Sequence, residues 1–210
     1  MTANLAPQNT GTDVQAGFTQ IYAETSPPWD TGRPQPAFVA VSDRIAGPLL
    51  DSGCGTGGAS VFFAARGLKV TGIDFVELAI ERARTRAEQH GVEVEFLVKD
   101  AMTLASWKRT FSSIIDSGLY HIYPAENRRK YVTGLKSVLN VGGHLYLLSF
   151  SDDPRAPDGG ITREEIEADF ADGWAIEQLD RVPAELNPAS AQSEVLADQK
   201  MWFAIIRRIA

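Results

Sequence analysis

Apolar and polar positions alternate along the chain in blocks that predict strands and helices in turn. Short apolar runs, most of which end in an acidic residue, predict strands, and longer amphipathic stretches between them predict helices. The predicted strands are 49–51, 69–74, 92–98, 111–118, 144–150, 174–182 and 200–209. The predicted helices are 13–25, 36–45, 59–65, 76–90, 126–139 and 162–170. This alternation is typical of an α/β domain, and the final two strands are expected to pair as an antiparallel hairpin.

A glycine-rich segment at 49–58 reads as strand, tight loop and helix. Glycines at alternate positions let a ligand approach backbone N–H groups at the start of a helix. Gly53-x-Gly55-x-x-Gly58 also matches the dinucleotide fingerprint. Asp51 favours a different ligand, because a carboxylate beside the loop would repel a diphosphate and attract a cationic amine.

Acidic residues close the next three strands as well. The carboxyl ends of parallel strands meet at one edge of the sheet, so Asp74, Asp100 and Asp116 are expected near Asp51. Asp74 has the spacing of a ribose-binding carboxylate, and Asp100 suits an adenine amine; Asp51, Asp74 and Asp100 could each instead cap a helix. The residues that follow these acids and would flank a base are Phe75, Ala101 and Met102.

The composition and net charge of the chain exclude several classes of function. The chain has 210 residues, of which 44% are hydrophobic, enough for one domain with a single sizeable core. A net charge of −7 argues against a nucleic-acid partner. The sole cysteine, Cys54, forms no internal disulfide, and no targeting or membrane-spanning run is evident, so we expect a cytoplasmic protein. No side-chain spacing indicates a metal site.

Three residues are candidates for catalysis. His121 and Tyr120 follow the strand that ends in Asp116, and Tyr22 lies on the N-terminal helix. His121 is the only one of the three histidines predicted at this edge of the sheet, which makes it a candidate general base. A single histidine in such a position also serves often as a structural or substrate-orienting group.

The N-terminal region is predicted in two parts. Residues 1–12 are polar and lack periodicity, which predicts a disordered tail, and residues 13–46 form a helical segment. Within it, Trp29 and Arg33 are held between prolines, and a stiff loop of this kind can present both to a ligand. Alternatively, Trp29 fills the edge of the core while Asp30 and Arg33 pair with each other.

The combined motifs resemble those of the class I S-adenosylmethionine-dependent methyltransferases over about residues 47–209. The matching segments are 50–57, 72–74, 99–101, 115–117 and 139–143. The resemblance implies a Rossmann-like, seven-stranded, mostly parallel sheet with helices on both faces and an antiparallel last strand. It also implies S-adenosylmethionine as cofactor, with Asp74 at its ribose, Asp100 at its adenine amine and the Gly53–Gly57 backbone at its methionine part.

Residues 28–34 are similar to the N-terminal signature of the thiopurine, halide/thiol and related small-molecule methyltransferases, including bacterial enzymes that methylate quinones or heterocycles. The similarity implies that Trp29 and Arg33 close over the cofactor and that the 13–46 segment forms a lid on the acceptor. The expected cofactor-binding residues are Trp29, Arg33, Asp51, Gly53, Cys54, Gly55, Gly57, Asp74, Phe75, Asp100, Ala101, Met102 and Asp116.

The expected activity is methyl transfer to a small aromatic or sulfur-containing acceptor, at oxygen, sulfur or nitrogen. The predicted acceptor pocket is apolar and comprises Phe18, Tyr22, Trp29, Tyr120 and the 151–160 loop. Two alternatives remain at this stage: a nicotinamide-dependent oxidoreductase, and a catalytically silent cofactor-binding regulator. Neither a nucleic acid nor a membrane is an expected partner, and both a monomer and a homodimer are compatible with the sequence.

Overall fold

The computed structural model describes residues 11–24, 27–153, 156, 159–190, 193 and 199–210. Side chains are described from residue 15 onwards. Helix α1 already begins at Gly11, two residues earlier than predicted. Of the predicted tail, residues 1–12, the first ten positions lie outside the described residues.

The described chain contains seven strands and six α-helices. The strands are β1 (Leu49–Ser52), β2 (Val70–Asp74), β3 (Glu95–Val98), β4 (Phe111–Ser117), β5 (Leu139–Phe150), β6 (Trp174–Pro183) and β7 (Lys200–Arg208). The helices are α1 (Gly11–Glu24), α2 (Pro36–Ala40), α3 (Gly58–Ala65), α4 (Glu77–His90), α5 (Ala125–Val138) and α6 (Arg163–Asp169). Short 3-10 helices cover Ser42–Arg44, Ala101–Ser106 and Tyr120–Ile122.

The strands form one seven-stranded sheet in the order β3-β2-β1-β4-β5-β7-β6. Strand β7 lies between β5 and β6 and is antiparallel to both, whereas the remaining neighbours pair in parallel. This arrangement confirms the predicted Rossmann-like fold with an antiparallel last strand. The strand order reverses between β1 and β4, and ligands of open α/β sheets bind at the carboxyl ends of the strands at such a point.

The core has two layers because alternate residues of each strand face opposite sides of the sheet. Leu50 and Ile114 face the layer that contains α5, while Leu49 and Ile115 face the layer that contains α2 and α3. All four side chains are fully buried. Helices therefore cover both faces, and the rim of the sheet stays open to ligands.

Two strands begin three or more residues away from their predicted starts. Strand β3 begins at Glu95 instead of Val92, because the Val92 N–H donates to Ala87 O and completes the end of α4. Strand β5 begins at Leu139 instead of His144. The Gly142-Gly143 pair is typical of a turn, but here it continues the strand past a bulge opposite β4.

Candidate active site

A cavity of about 1030 Å³ opens at the carboxyl ends of β1, β2 and β4. Its walls also include side chains of α1, the 27–35 loop and residues 184–186 after β6. Pockets for one small molecule usually measure about 300–1,000 Å³. The cavity is therefore large enough for two ligands side by side.

Most of the predicted site residues meet in this cavity. Those that line it are Tyr22, Trp29, Arg33, Asp51, Gly53, Cys54, Gly55, Asp74, Phe75, Asp100, Met102 and His121. Ala101 instead borders a small adjoining void shared with Gly53 and Asp74. The residues from Asp51 onwards converge here because they lie at or after the ends of strands that end at the same rim, whereas Tyr22, Trp29 and Arg33 come from α1 and the 27–35 loop.

Asp74 fixes the glycine-rich loop to the end of β2. Its Oδ2 accepts a hydrogen bond from the Gly55 N–H at 3.0 Å, and its Oδ1 accepts one from the Val76 N–H at 2.9 Å. Burial raises the pKa of Asp74 to about 6, against the lowering effect of these hydrogen bonds. The carboxylate thus holds the loop in shape from within the cavity wall.

Asp51 provides a second buried carboxyl at the floor of the cavity. It is 2% exposed and accepts a 2.6 Å hydrogen bond from the Ser60 hydroxyl. Burial raises its pKa to about 7, and the charges of Asp116 and Asp74 add to the increase. A cationic group placed beside Asp51 would stabilise the ionised form.

This raised pKa predicts how pH affects the stability of the ligand-free protein. Because folding raises the pKa of Asp51 from its ordinary 3.8 to about 7, its contribution to stability falls as pH rises through that window. Burial lowers the pKa of His121 to about 3, so its contribution to stability instead increases as pH rises towards ~6.5. We therefore expect the melting temperature of Asp51→Asn, relative to wild type, to increase from pH ~5 to pH ~8. A difference that stays constant in thermal melts would contradict the assignment.

An aromatic wall covers the side of the cavity nearest α1. Phe18 packs edge-on against Trp29 and Phe75, with ring centroids 5.7 and 5.9 Å apart. Trp29 Nε1–H donates to the Tyr22 hydroxyl at 3.2 Å. Gln15 Nε2 donates to Phe75 O at 3.0 Å and fastens α1 to the rim. The apolar wall suits an aromatic ligand.

The 27–35 loop is tied to the segment after β6. Arg33 forms an ion pair with Glu185, and Gln35 exchanges two hydrogen bonds with the Glu185 backbone, at 2.8 and 2.9 Å. Asn187 N–H donates to Pro28 O at 2.7 Å. The predicted alternative in which Arg33 pairs with Asp30 is therefore wrong, because Arg33 forms its ion pair with Glu185.

Two further predicted cofactor ligands line neither the cavity nor the adjoining void. Asp116 is fully buried, and it accepts hydrogen bonds from the Tyr131 hydroxyl and the Leu119 N–H, each at 2.8 Å. Gly57, at φ 80°, turns the chain into α3, and a side chain there would meet Phe96 at 2.8 Å. Both residues therefore support the loops rather than face a ligand, which corrects the prediction for each.

Tyr120 is the third correction, since it does not line the cavity. Its side chain is fully buried against α5 and α6, and its hydroxyl donates to Asp169 at 2.7 Å. Arg128 Nε donates to the same carboxylate at 3.1 Å. In the 3-10 helix Tyr120–Ile122, neighbouring side chains point in different directions, so Tyr120 enters the core while His121 faces the cavity.

We expect Tyr120→Phe to lower stability without slowing the reaction. The substitution removes one hydrogen bond to Asp169, which costs about 1–2 kcal/mol of the free energy of unfolding. Urea denaturation and a methyl-transfer assay with the same preparation test the two statements. A rate reduced by tenfold or more at unchanged stability would return Tyr120 to the catalytic residues.

His121 has the geometry of a hydrogen-bond donor rather than a base. Its Nδ1 accepts the Phe150 backbone N–H at 3.2 Å, and its ring packs on the Phe150 ring with centroids 4.4 Å apart. Because a backbone N–H can only donate, Nδ1 is unprotonated and the ring proton of the neutral imidazole is on Nε2. Burial lowers the pKa of His121 to about 3, so the imidazole is neutral at physiological pH. The residue offers the cavity an N–H and does not take a proton at Nδ1.

Tyr123, which is expected near this rim but is not among the three candidates for catalysis, also lines the cavity. Its hydroxyl is buried and has no hydrogen-bond partner among the described residues. Burial raises its pKa, and the charges of Asp100, Asp116 and Asp74 raise it further. An unpaired buried hydroxyl indicates a partner supplied from outside the chain, such as a bound ligand or water.

These donors and acceptors fit S-adenosylmethionine. Two carboxylates suit hydroxyl and amine donors, and the acidic floor suits a positive charge. The glycine-rich loop lets a ligand lie close to the backbone, while its own N–H groups are used within the chain: those of Gly53 and Cys54 donate to Ile73 O, each at 2.9 Å, and that of Gly55 donates to Asp74. Within the described ranges, no group of three histidine, cysteine or acidic side chains could hold a metal ion.

A model of the methyltransferase domain family matches residues 49–143. The chain is 29% identical to the 2-heptyl-1-hydroxyquinolin-4(1H)-one methyltransferase of Mycobacteroides abscessus over 160 residues, which cover 73% of this chain and 70% of that protein. It is also 29% identical to the ubiquinone biosynthesis O-methyltransferase of Rickettsia felis, with coverage of 71% and 58%.

One solved structure resembles the chain over almost its whole length. It comes from work on the conversion of a disulfide bond into a thioacetal group during echinomycin biosynthesis. The two are 32% identical, the match covers 93% of each chain, and the TM-score is 0.82.

Proposed function

The chain belongs to the class I S-adenosylmethionine-dependent methyltransferases, and we propose that its acceptor is the ionised oxygen of a small aromatic molecule. The observation that carries the proposal is His121: a neutral imidazole with Nδ1 already hydrogen-bonded to the Phe150 N–H and Nε2–H left for a ligand. Such a group stabilises an oxyanion but does not deprotonate a neutral alcohol.

S-adenosylmethionine supplies an electrophilic methyl group when it is bound. We assign Asp74 to its ribose hydroxyls, Asp100 to its adenine amine, Asp51 to its ammonium group and the Gly53–Gly55 backbone to close contact with its methionine part. Trp29 and Tyr22 would close the same half of the cavity. Support for this assignment comes from the positions of these residues in the cavity wall.

The other half of the cavity would orient the acceptor. His121 Nε2–H would donate to the acceptor oxygen, which lowers the pKa of the acceptor and raises its ionised fraction. Phe150 and the other apolar walls of this half would stack on the ring and exclude water. Catalysis would then rest on orientation and desolvation, with no proton moved in the transfer step.

The names of the relatives agree with an oxygen acceptor. One is named for a 1-hydroxyquinolinone and another for O-methylation in ubiquinone biosynthesis. A thiolate is the second candidate, because the solved structure that is 32% identical concerns a disulfide and a thioacetal. A thiolate, like a phenolate, needs no base at neutral pH if its pKa is low enough.

A substrate panel tests the proposal. Wild-type protein is incubated with S-adenosylmethionine and phenols of graded acidity, N-hydroxy heterocycles, aromatic thiols, aromatic amines and aliphatic alcohols, and products are identified by mass spectrometry. Methylation of phenols or N-hydroxy heterocycles supports the proposal. Methylation confined to thiols favours the second candidate, and methylation confined to amines or aliphatic alcohols contradicts both.

We propose that the protein is cytoplasmic and that its partner is a small molecule rather than a nucleic acid. The net charge of −7 and the apolar walls of the cavity support this class of partner. In the described part of the chain, no helix combines the length and apolarity needed to cross a bilayer. Both a monomer and a homodimer remain compatible with the sequence, and size-exclusion chromatography distinguishes between them.

A further inference from the structure

Arg86, on α4, joins the two loops that form the cofactor half of the cavity. Its Nε donates to Thr56 O at 2.9 Å and its Nη2 to the Thr56 hydroxyl at 3.2 Å. Its Nη1 donates to Gly32 O at 3.1 Å. One guanidinium thus contacts the glycine-rich loop and the 27–35 loop at once, although Arg86 itself is not among the cavity-lining residues.

Asp30 completes this junction. Its Oδ1 accepts the Thr56 hydroxyl at 2.7 Å and lies 3.8 Å from Arg86 Nη2. The side chains of Arg86 and Asp30 are 26% and 18% exposed, so the pair is shielded from much of the solvent. Thr56 and Asp30 both line the cavity, and Arg86 therefore contacts the cofactor site only through them and Gly32.

The two loops also touch backbone to backbone. A Cβ at Gly58 would lie 2.8 Å from Arg33 N and 2.8 Å from Gly32 C, so only glycine fits where they meet. The close approach leaves Gly32 O directed at the guanidinium. The contact at Gly58 and the hydrogen bond from Arg86 therefore hold the 27–35 loop, which contains Trp29 and Arg33, against the glycine-rich loop.

We propose that Arg86 is a positioning residue for the cofactor: it preassembles the cofactor half of the cavity by locking the 27–35 loop onto the glycine-rich loop. The proposal rests on the cofactor assignment made above. The 27–35 loop is then a fixed wall, and S-adenosylmethionine binds without paying to order it. Lysine cannot replace arginine in this role, because an ammonium is a point charge and lacks the planar fork that reaches three acceptors.

Calorimetric titration with S-adenosylhomocysteine tests the proposal on wild type, Arg86→Ala, Arg86→Lys and a control, Arg82→Ala. Arg82 is exposed on the same helix, and no hydrogen bond or ion pair is found for it within the described ranges. We expect Kd to rise about tenfold for Arg86→Ala, to rise at least about fivefold for Arg86→Lys and to stay within about twofold of wild type for the control.

Kinetic and thermal measurements separate positioning from a merely structural role. We expect the KM for S-adenosylmethionine to rise while the acceptor KM and the kcat at saturating cofactor stay close to wild type. A lower melting temperature with unchanged Kd overturns the proposal, and so does full recovery of affinity in Arg86→Lys. If Arg86→Ala fails to fold, Arg86→Lys alone decides between these outcomes. Failure of wild type itself to bind would instead overturn the cofactor assignment.

Discussion

Asp74→Ala weakens S-adenosylhomocysteine binding by about 100-fold. The variant loses the carboxylate that we assign to the ribose hydroxyls, and it releases the Gly55 and Val76 N–H groups that this carboxylate holds at 3.0 and 2.9 Å. Hydrogen bonds to a charged group contribute about 1.5–3 kcal/mol each, and a loss of about 2.7 kcal/mol corresponds to 100-fold in Kd. Calorimetric titration of the two proteins measures the change directly.

Two further variants guard this prediction. Asp43→Ala removes a carboxylate that is fully exposed and remote from the cavity, and we expect its Kd to equal that of wild type. Asp74→Asn keeps the size of the side chain and one acceptor oxygen, so we expect an intermediate loss. Wild-type affinity in the folded Asp74→Ala protein would show that the cofactor lies elsewhere.

His121→Phe slows methyl transfer by about 10- to 100-fold and leaves the Kd for S-adenosylhomocysteine unchanged. Phenylalanine keeps the packing on Phe150, now without the Nε2–H donor, and it leaves the Phe150 N–H without an acceptor. One hydrogen bond to a charged acceptor accounts for this range of rate. Single-turnover rates at saturating cofactor, together with titration, test both parts.

Matched variants identify the donor as the cause. We expect His121→Gln, whose amide can donate, to recover part of the rate. His144→Phe should have no effect on the rate, because His144 contacts Glu177 on β6 and does not line the cavity. An unchanged rate in His121→Phe on every accepted substrate would show that another group orients the acceptor.

Much of the fold could be predicted from the chain. Strand ends marked by acids place Asp51, Asp74 and Asp100 at one rim because parallel strands end together, and this edge of the sheet holds the cavity. The polar segment between the last two strands indicated their antiparallel pairing, which the structure confirms.

Side-chain direction and long-range contacts could not be predicted in the same way. Periodicity does not tell which of Tyr120 and His121 enters the core when a strand ends in a single 3-10 turn. The sequence predicts the carboxylate of Asp116 at the same rim. In the structure this carboxylate is buried and accepts a hydrogen bond from the Tyr131 hydroxyl on α5. Arg86 is 30 residues from Thr56 and 54 from Gly32, so no local pattern relates them.

The pH dependence of methyl transfer to a series of substituted phenols tests the central claim most directly. Initial rates at low acceptor concentration and saturating S-adenosylmethionine give kcat/KM for each phenol. If the acceptor ionises by itself and His121 only donates a hydrogen bond, the inflection of each profile follows the pKa of that phenol. An inflection at one fixed pH, whichever phenol is used, would reveal a base on the protein and contradict the account.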